Sequence, residues 1–306
     1  MIILLIGGNG QLGSEFLSFS ERENFSIYSP NSSELDITDH NSTSKFIKKL
    51  NPEIILNFAA YTDVNGAESN YEKANNINNI AVKNLAMISN KCDAGLIHIS
   101  TDFVFGKDQK GPYTVNDITS PINQYGVTKD NGEKEILKNC KKSIIIRVAS
   151  LYGLHKKNFL KNFINTIKKN GEISAIYDQK ITLTNSQDLV EFIYLLLNSI
   201  KNKSLNDFFN EATIYHYINT GYTTWYDVAK LIVNEMNKNK LSETEYRVKK
   251  ISKDQWKQKA ERPDDSRLVP SHFDIDGFRY IMPDWETSLI RTMNNYFKST
   301  INEWRL

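Results

Sequence analysis

The stretch M-I-I-L-L-I-G-G-N-G-Q-L-G, Met1 to Gly13, sets an unbroken apolar run against glycines spaced G-x-x-G-x-x-G. Met1 to Ile6 has the length and the Ile/Leu content of a strand buried on both faces. Gly7, Gly10 and Gly13 follow at once, and Gln11 to Phe19 continues as an amphipathic segment. Strand, tight turn and helix N-terminus together make a phosphate cradle. The glycines admit close backbone approach, and the helix end aims its free N–H groups at an anion. The same turn can be a plain strand-to-helix connection; its place directly behind a strand favours the cradle.

Outward from that turn the chain alternates. Phe25–Tyr28, Glu53–Phe58, Gly95–Ile99 and Ile144–Val148 read as further strands. Helices fall between them: one capped by Thr38 or Asp39, a long one over Tyr71–Lys91, and one that Pro121 can open at its first turn. Five strands with helical crossovers predict an α/β fold, a doubly wound parallel sheet of the Rossmann type. Beyond residue 150 the pattern loosens. Helices are expected over Asn158–Lys169, Gln187–Ser199, Thr224–Met236 and Trp285–Phe297, with extended pieces at Ile173–Tyr177, Tyr215–Ile218 and Val248–Ile251. Arg262-Pro263 heads a loop. The expected organisation is a dinucleotide-binding domain of residues 1–150 plus about 185–220, and a smaller C-terminal α/β substrate domain of about 151–184 plus 221–306.

Composition narrows the partners. The chain has 306 residues and a net charge of +2 with balanced signs, which disfavours nucleic acid and an acidic membrane surface. Two distant cysteines and five histidines form no disulfide framework and no metal-ligand spacing, so no metal is expected. No basic-flanked apolar leader and no membrane-length apolar run occurs, and a cytoplasmic location is the default. A homodimer stays open.

The candidate chemistry sits where strands end. After Tyr28 no carboxylate occurs until Glu34, so a ribose 2′-phosphate is not excluded by charge; no arginine marks one either. Coenzyme choice therefore stays open between NADPH and NADH, leaning to NADPH. Asp36 reads equally as a loop carboxylate or an adenine-side contact. Ala59, Ala60 and Thr62 follow the third strand, where small residues let a cofactor or a packed helix lie close. Asn78 reads as an exposed helical residue. Ser100-Thr101-Asp102 ends the fourth strand, and Tyr125 and Lys129 stand four apart on one helix face. A phenol beside an ammonium is a tunable proton donor, suited to the oxygen of a ketone that receives hydride. Y-x-x-x-K occurs four times, at Tyr125, Tyr152, Tyr226 and Tyr246, so spacing alone selects none of them.

The motifs in order resemble the extended short-chain dehydrogenase/reductase family, and within it the dTDP-4-dehydrorhamnose reductase group. The matching stretches are G-G-N-G-Q-L-G at Gly7, L-D-I-T-D at Leu35, N-F-A-A-Y-T at Asn57, G-A-E at Gly66, H-I-S-T-D-F-V-F at His98 and Y-G-V-T-K-D-N-G-E at Tyr125. N-F at Asn158, D-Q at Asp178, G-Y-T-T-W-Y-D-V-A at Gly221 and R-P-D-D-S at Arg262 complete them over nearly the whole chain. The resemblance implies Tyr125 as proton donor. It implies Lys129 as the residue that holds the nicotinamide ribose and lowers the phenol pKa, and Thr101 as the hydroxyl that aligns the substrate carbonyl. It implies Gly7, Gly10, Gln11, Leu12 and Gly13 as the pyrophosphate turn, Asp36 and Ile37 as adenine-side contacts, and Ala59, Ala60 and Thr62 as the cofactor wall. Thr101, Asp102, Phe103, Tyr125 and Leu151 would face the substrate, a nucleotide-linked 4-keto-6-deoxy sugar reduced at C4.

Departures from the family pattern occur. Phe103 stands where Tyr is frequent, Leu151 where Trp is frequent, Ile181 and Leu183 where Gly and Pro follow D-Q, and Asn65 where Asp is common. An altered sugar or nucleotide pocket is the expectation. Two rivals remain. An epimerase or dehydratase of the same superfamily would need a further acid or base, and none is evident beside Thr101. A non-catalytic NADP-binding regulatory subunit fits the lost pocket side chains but does not need the Tyr–Lys–Thr set.

Overall fold

The computed structural model describes residues 1–20, 25–107, 109–203, 205–239, 245–275 and 278–303. The first half alternates β1 (Ile2–Ile6), α1 (Gln11–Ser20), β2 (Ser26–Tyr28), α2 (His40–Leu50), β3 (Ile54–Asn57), α3 (Ala81–Lys91), β4 (Gly95–Thr101), α4 (Gln124–Asn139) and β5 (Ser143–Val148). The larger elements after it are α5 (Phe159–Asn170), α6 (Ser186–Asn202), β6 (Thr213–His216), α7 (Trp225–Lys238) and α8 (Trp285–Glu303). Six strands form one sheet in the order β6-β5-β4-β3-β1-β2, and every pair is parallel.

Strand alternation explains the layering. Ile3 and Leu5 of β1 point to the face covered by Leu12 and Phe16 of α1 and by Leu189, Phe192 and Ile193 of α6. Leu4 and Ile6 point to the other face, under Ile47 of α2, Leu85 of α3 and Ile136 of α4. Burial on both faces is why these strands read as apolar runs rather than alternating ones. The chain reverses direction across the sheet between β1 and β3, and that switch point opens a crevice at the carboxyl ends of the strands.

A second apolar cluster gathers α5, α7 and α8 around the parallel strands Glu172–Ile176 and Arg247–Ile251, with Leu160, Ile164, Val228, Ile232 and Leu289 at its centre. The C-terminal segment does not stay with it throughout. Phe273 and Met282 are buried in the first core, and Tyr280 packs against it.

Three local expectations give way. Pro121 does not open α4: it forms an antiparallel bridge with Gly106. The N-cap is Asn123, whose side chain accepts from Gly126 N at 2.8 Å and so satisfies one of the free N–H groups of the first turn. Tyr71–Lys91 is not one α-helix either. It runs as Tyr71–Asn75, a π turn over Asn76–Ile80, and α3. Asn78 sits in that π turn and is buried, not exposed. Its amide accepts from Tyr61 N at 2.8 Å and donates to Tyr61 O at 3.0 Å and Thr128 Oγ1 at 3.0 Å. Asp39, rather than Thr38, caps α2 by accepting from Ser42 N at 3.0 Å. Among the described residues no helix is long and apolar enough to cross a membrane.

Candidate active site

A cleft of about 930 Å³ lies along the carboxyl ends of β1, β3 and β4. Its first end is the glycine turn. Gly7 has φ +86°, and a Cβ there would stand 2.6 Å from Ala59 N, so both conformation and space require glycine. Gly10 N donates to Gly7 O at 2.9 Å, closing the turn that starts α1. Gly7, Gly10, Gln11 and Leu12 line the cleft. Gly13 does not reach the wall; a Cβ there would collide with Gly7 O and Gly8 Cα, so its part is close packing of α1 on the turn.

Asp36 and Ile37 line the cleft beside this end, and Ala59, Ala60 and Thr62 line it after β3. Asp36 is held below the usual carboxylate range because its side chain accepts from the Thr38 hydroxyl at 2.7 Å and from Thr38 N at 2.9 Å. Asn31 and Ser32 line the wall past β2 while Glu34 does not, so the acidic residue that lines the cleft after β2 is Asp36.

Thr101, Asp102, Phe103, Tyr125, Lys129 and Leu151 gather at the other end. Tyr125 is nearly buried, in edge contact with Phe103 at 6.1 Å between ring centroids. Burial pushes the phenol above its ordinary value, the hydrogen bond with Thr101 pulls it back, and Asp102 pushes it up again. The expected lowering by Lys129 is therefore not what governs the phenol here. Lys129 Nζ is held from behind, donating to Ile99 O at 2.7 Å and lying 3.1 Å from His98 Nε2. Burial lowers the Lys129 ammonium to about 8, against an upward push from Glu133. The other three Y-x-x-x-K tyrosines do not line the cleft; Tyr152 is fully buried in the second core.

Asp102 corrects another expectation, since it is an acid/base group directly beside Thr101. Its carboxyl is buried and raised to about 6, chiefly by burial, against lowering hydrogen bonds from Ser266 and Thr101. Thr101 Oγ1 donates to Asp102 Oδ1 at 3.1 Å and accepts from Phe103 N at 3.2 Å.

Several wall residues carry no role in the sequence reading. Arg262, Trp225, Phe159, Lys156 and Lys157 also line the cleft. Trp225 stands edge-on to Phe159 at 5.1 Å and donates from Nε1 to Gln179 Oε1 at 3.1 Å. Arg262 forms no salt bridge among the described residues, and burial depresses its pKa. Its Nη1 reaches Asn65 Oδ1 at 3.5 Å and Ala260 O at 3.3 Å. The signal was present in the stretches around Trp225 and Arg262, but nothing local said that they face the same space. Of the departures, Phe103 and Leu151 do line the cleft. Ile181 and Leu183 lie in the second core instead, and Asn65 steadies the Arg262 loop.

The residues fit an extended anionic dinucleotide. The glycine turn presents bare backbone to the cleft at Gly7, Gly8 and Gly10. Gln11 Nε2 and Ser100 Oγ are buried polar atoms without a partner among the described residues, and both residues line the cleft. Buried polar groups in that state call for a ligand or solvent partner. Among the described residues no group of three His, Cys, Asp or Glu side chains could hold a metal ion.

Comparison with known proteins adds the last observation. The profile of the family described as RmlD substrate binding domain matches residues 1–298. A dTDP-4-dehydrorhamnose reductase of Escherichia coli K12 is 31% identical over 303 residues, 98% of this chain and 99% of the relative. The solved structure of a dTDP-4-dehydrorhamnose reductase from Bacillus anthracis, in complex with NADP, superposes with a TM-score of 0.84 at 32% identity, covering 96% of this chain and 99% of that one. A UDP-glucose 4-epimerase from Thermotoga maritima shares the fold at a TM-score of 0.73 and 17% identity, over 98% of this chain and 100% of that one.

Proposed function

We propose, since the chain belongs to the RmlD substrate binding domain family, that it is an NADPH-dependent reductase of a dTDP-linked 4-keto-6-deoxy sugar in deoxysugar biosynthesis. The observation that carries the reading is the gathering of Thr101, Tyr125 and Lys129 in one cleft that begins at the glycine turn. Bound at that turn, NADPH supplies the hydride. The residues of the chain do the rest.

Gly7, Gly10, Gln11 and Leu12 hold the pyrophosphate with backbone N–H groups at the start of α1. Asp36 and Ile37 flank the adenine side, and Ala59, Ala60 and Thr62 form the wall along the cofactor. Lys129 holds the nicotinamide ribose. Thr101 aligns the C4 carbonyl oxygen, and Tyr125 gives that oxygen its proton. A phenol kept protonated by burial is loaded for this task at neutral pH. Asp102, Phe103 and Leu151 shape the sugar site. Arg262, Lys156 and Lys157 suit the diphosphate of the substrate, and Trp225 and Phe159 suit its base. We read residues 1–150 plus about 185–220 as the cofactor unit and about 151–184 plus 221–306 as the substrate unit, with the Phe273–Met282 stretch packed back on the former. We place the enzyme in the cytoplasm, where its free thiols Cys92 and Cys140 would persist.

The test is purified protein with NADPH and a panel of dTDP-4-keto-6-deoxy sugars. Consumption of NADPH with a 4-hydroxy product supports the reading, and no consumption across the panel overturns it. Product analysis without added reductant detects an epimerase or dehydratase, for which Asp102 is the available acid. Tight NADP binding with a co-purifying protein and no turnover would mark a regulatory subunit.

A further inference from the structure

Behind Lys129 runs a buried hydrogen-bond chain that the proposed reaction does not use. Asn57 ends β3 and His98 lies beside it in register on β4; both are essentially fully buried. Ala59 N donates to Asn57 Oδ1 at 3.2 Å, Asn57 Nδ2 lies 3.0 Å from His98 Nδ1, and His98 Nε2 lies 3.1 Å from Lys129 Nζ.

The polarity of this chain is set from its far end. A backbone N–H can only donate, so the Asn57 carbonyl oxygen faces Ala59 and its amide nitrogen faces His98. That amide nitrogen can only donate, so His98 Nδ1 must accept. Burial, the largest cause, holds the imidazole well below its ordinary value, so the ring is neutral. A neutral ring that accepts at Nδ1 carries its proton on Nε2, and Nε2 faces Lys129. An N–H aimed at an amine is a hydrogen bond only if the amine offers its lone pair. The neutral amine still has two N–H groups, one for Ile99 O and one for the cleft.

We propose that His98 is a positioning residue that donates from Nε2 to Lys129 Nζ and biases Lys129 toward its neutral amine. The other charges around Lys129 leave room for this. Glu133, one turn along α4, favours the ammonium, but Arg147 of β5 engages it through Nε at 3.0 Å and Nη2 at 2.6 Å. Tyr125, one turn back on the same helix, is a protonated phenol, and β3 contributes only the neutral Asn57. Asp102, beyond the end of β4, is tied to Thr101 and Ser266.

The inference rests on the reading of Lys129 given above, but its test does not require turnover. Protein with ring-labelled histidine, free of cofactor, is examined by long-range nitrogen NMR. The His98 signals are identified among the five histidines by their loss in His98→Gln. At pH 9 the Nε2–H tautomer is expected. A perturbation of the same ring centred near the Lys129 pKa of about 8 is also expected, and Lys129→Met should abolish it. Asn57→Leu, which removes the donor to Nδ1, should populate both tautomers. An Nδ1–H ring at pH 9, or a ring blind to Lys129→Met, overturns the proposal. The two readings fail separately: an inactive protein with the Nε2–H ring sinks the reductase and spares this chain, whereas an active reductase with the Nδ1–H ring does the reverse.

Discussion

In the proposed reaction Tyr125 carries the chemistry, as a phenol that burial keeps protonated and that hydrogen-bonds with Thr101. Tyr125→Phe removes the proposed proton donor and leaves the ring contact with Phe103. It should lower kcat by about 10²- to 10⁴-fold while NADPH affinity stays within about twofold; a fluorescence titration beside steady-state rates checks both. Asp102, its neighbour, gives a stability expectation with a definite sign. Its folded pKa of about 6 lies above the ordinary 3.8. Between those values the folded protein holds a proton that the unfolded chain has lost. The group's favourable contribution is therefore fully present below about pH 4, fades as pH rises, and is lost above about pH 6. Asp102→Asn should be more stable than the parent at pH 7.5, by on the order of 2 kcal/mol, with the gap closing at pH 4. Urea denaturation at both pH values reads it, and an equal gap at the two would contradict the burial argument.

At the scale of elements, what could be read from the sequence was what is contiguous in it. The strand–turn–helix of residues 1–20 packs its meaning into neighbours, since Gly7 must be glycine for the turn it sits in. The same holds for Thr101 at the end of β4 and for Tyr125 with Lys129, one helical turn apart. The π turn was not legible. Asn78 finds its partners 17 residues back at Tyr61 and 50 residues on at Thr128, and neither distance leaves a periodic trace. Ile181 and Leu183 misled for the opposite reason: they follow a motif, yet their side chains go to the second core. The π turn yields its own expectation. Asn78 satisfies both backbone groups of Tyr61, in the middle of the Ala59–Thr62 wall. Asn78→Ala leaves those groups unpaired, which should cost about 2–3 kcal/mol and weaken NADPH binding at least about tenfold. Hydrogen exchange at the Tyr61 amide, together with cofactor titration, would detect it, and an unchanged cofactor affinity would separate the turn from the wall.

For the whole molecule, the two apolar cores meet across the cleft, and the loop through Arg262 ties them together. Ala260 N donates to Asn65 Oδ1 at 3.1 Å, Asn123 Nδ2 to Glu261 O at 2.9 Å, and Gln179 Nε2 to Pro263 O at 2.9 Å. This holds the guanidinium at the cleft with no carboxylate salt bridge among the described residues, and burial lowers its pKa, which is the signature of a desolvated cation. An unpaired desolvated charge destabilises the folded chain and is offset only when an anion arrives. Arg262→Met should therefore move two quantities in opposite senses. Stability without ligand should hold or rise, because the uncompensated charge is gone while the apolar stem remains. The KM for the dTDP-sugar should rise at least about tenfold, a loss of about 1.4 kcal/mol of binding, because the diphosphate loses its partner. NADPH affinity should not move, since Arg262 is anchored to Asn65 and Ala260 and not to the glycine turn. Thermal unfolding with neither ligand, with NADPH alone and with dTDP alone separates these effects. The variant should keep the shift given by NADPH and lose most of the shift given by dTDP; if dTDP shifts both proteins equally, the nucleotide binds without Arg262, and the diphosphate must be sought beside Lys156 and Lys157.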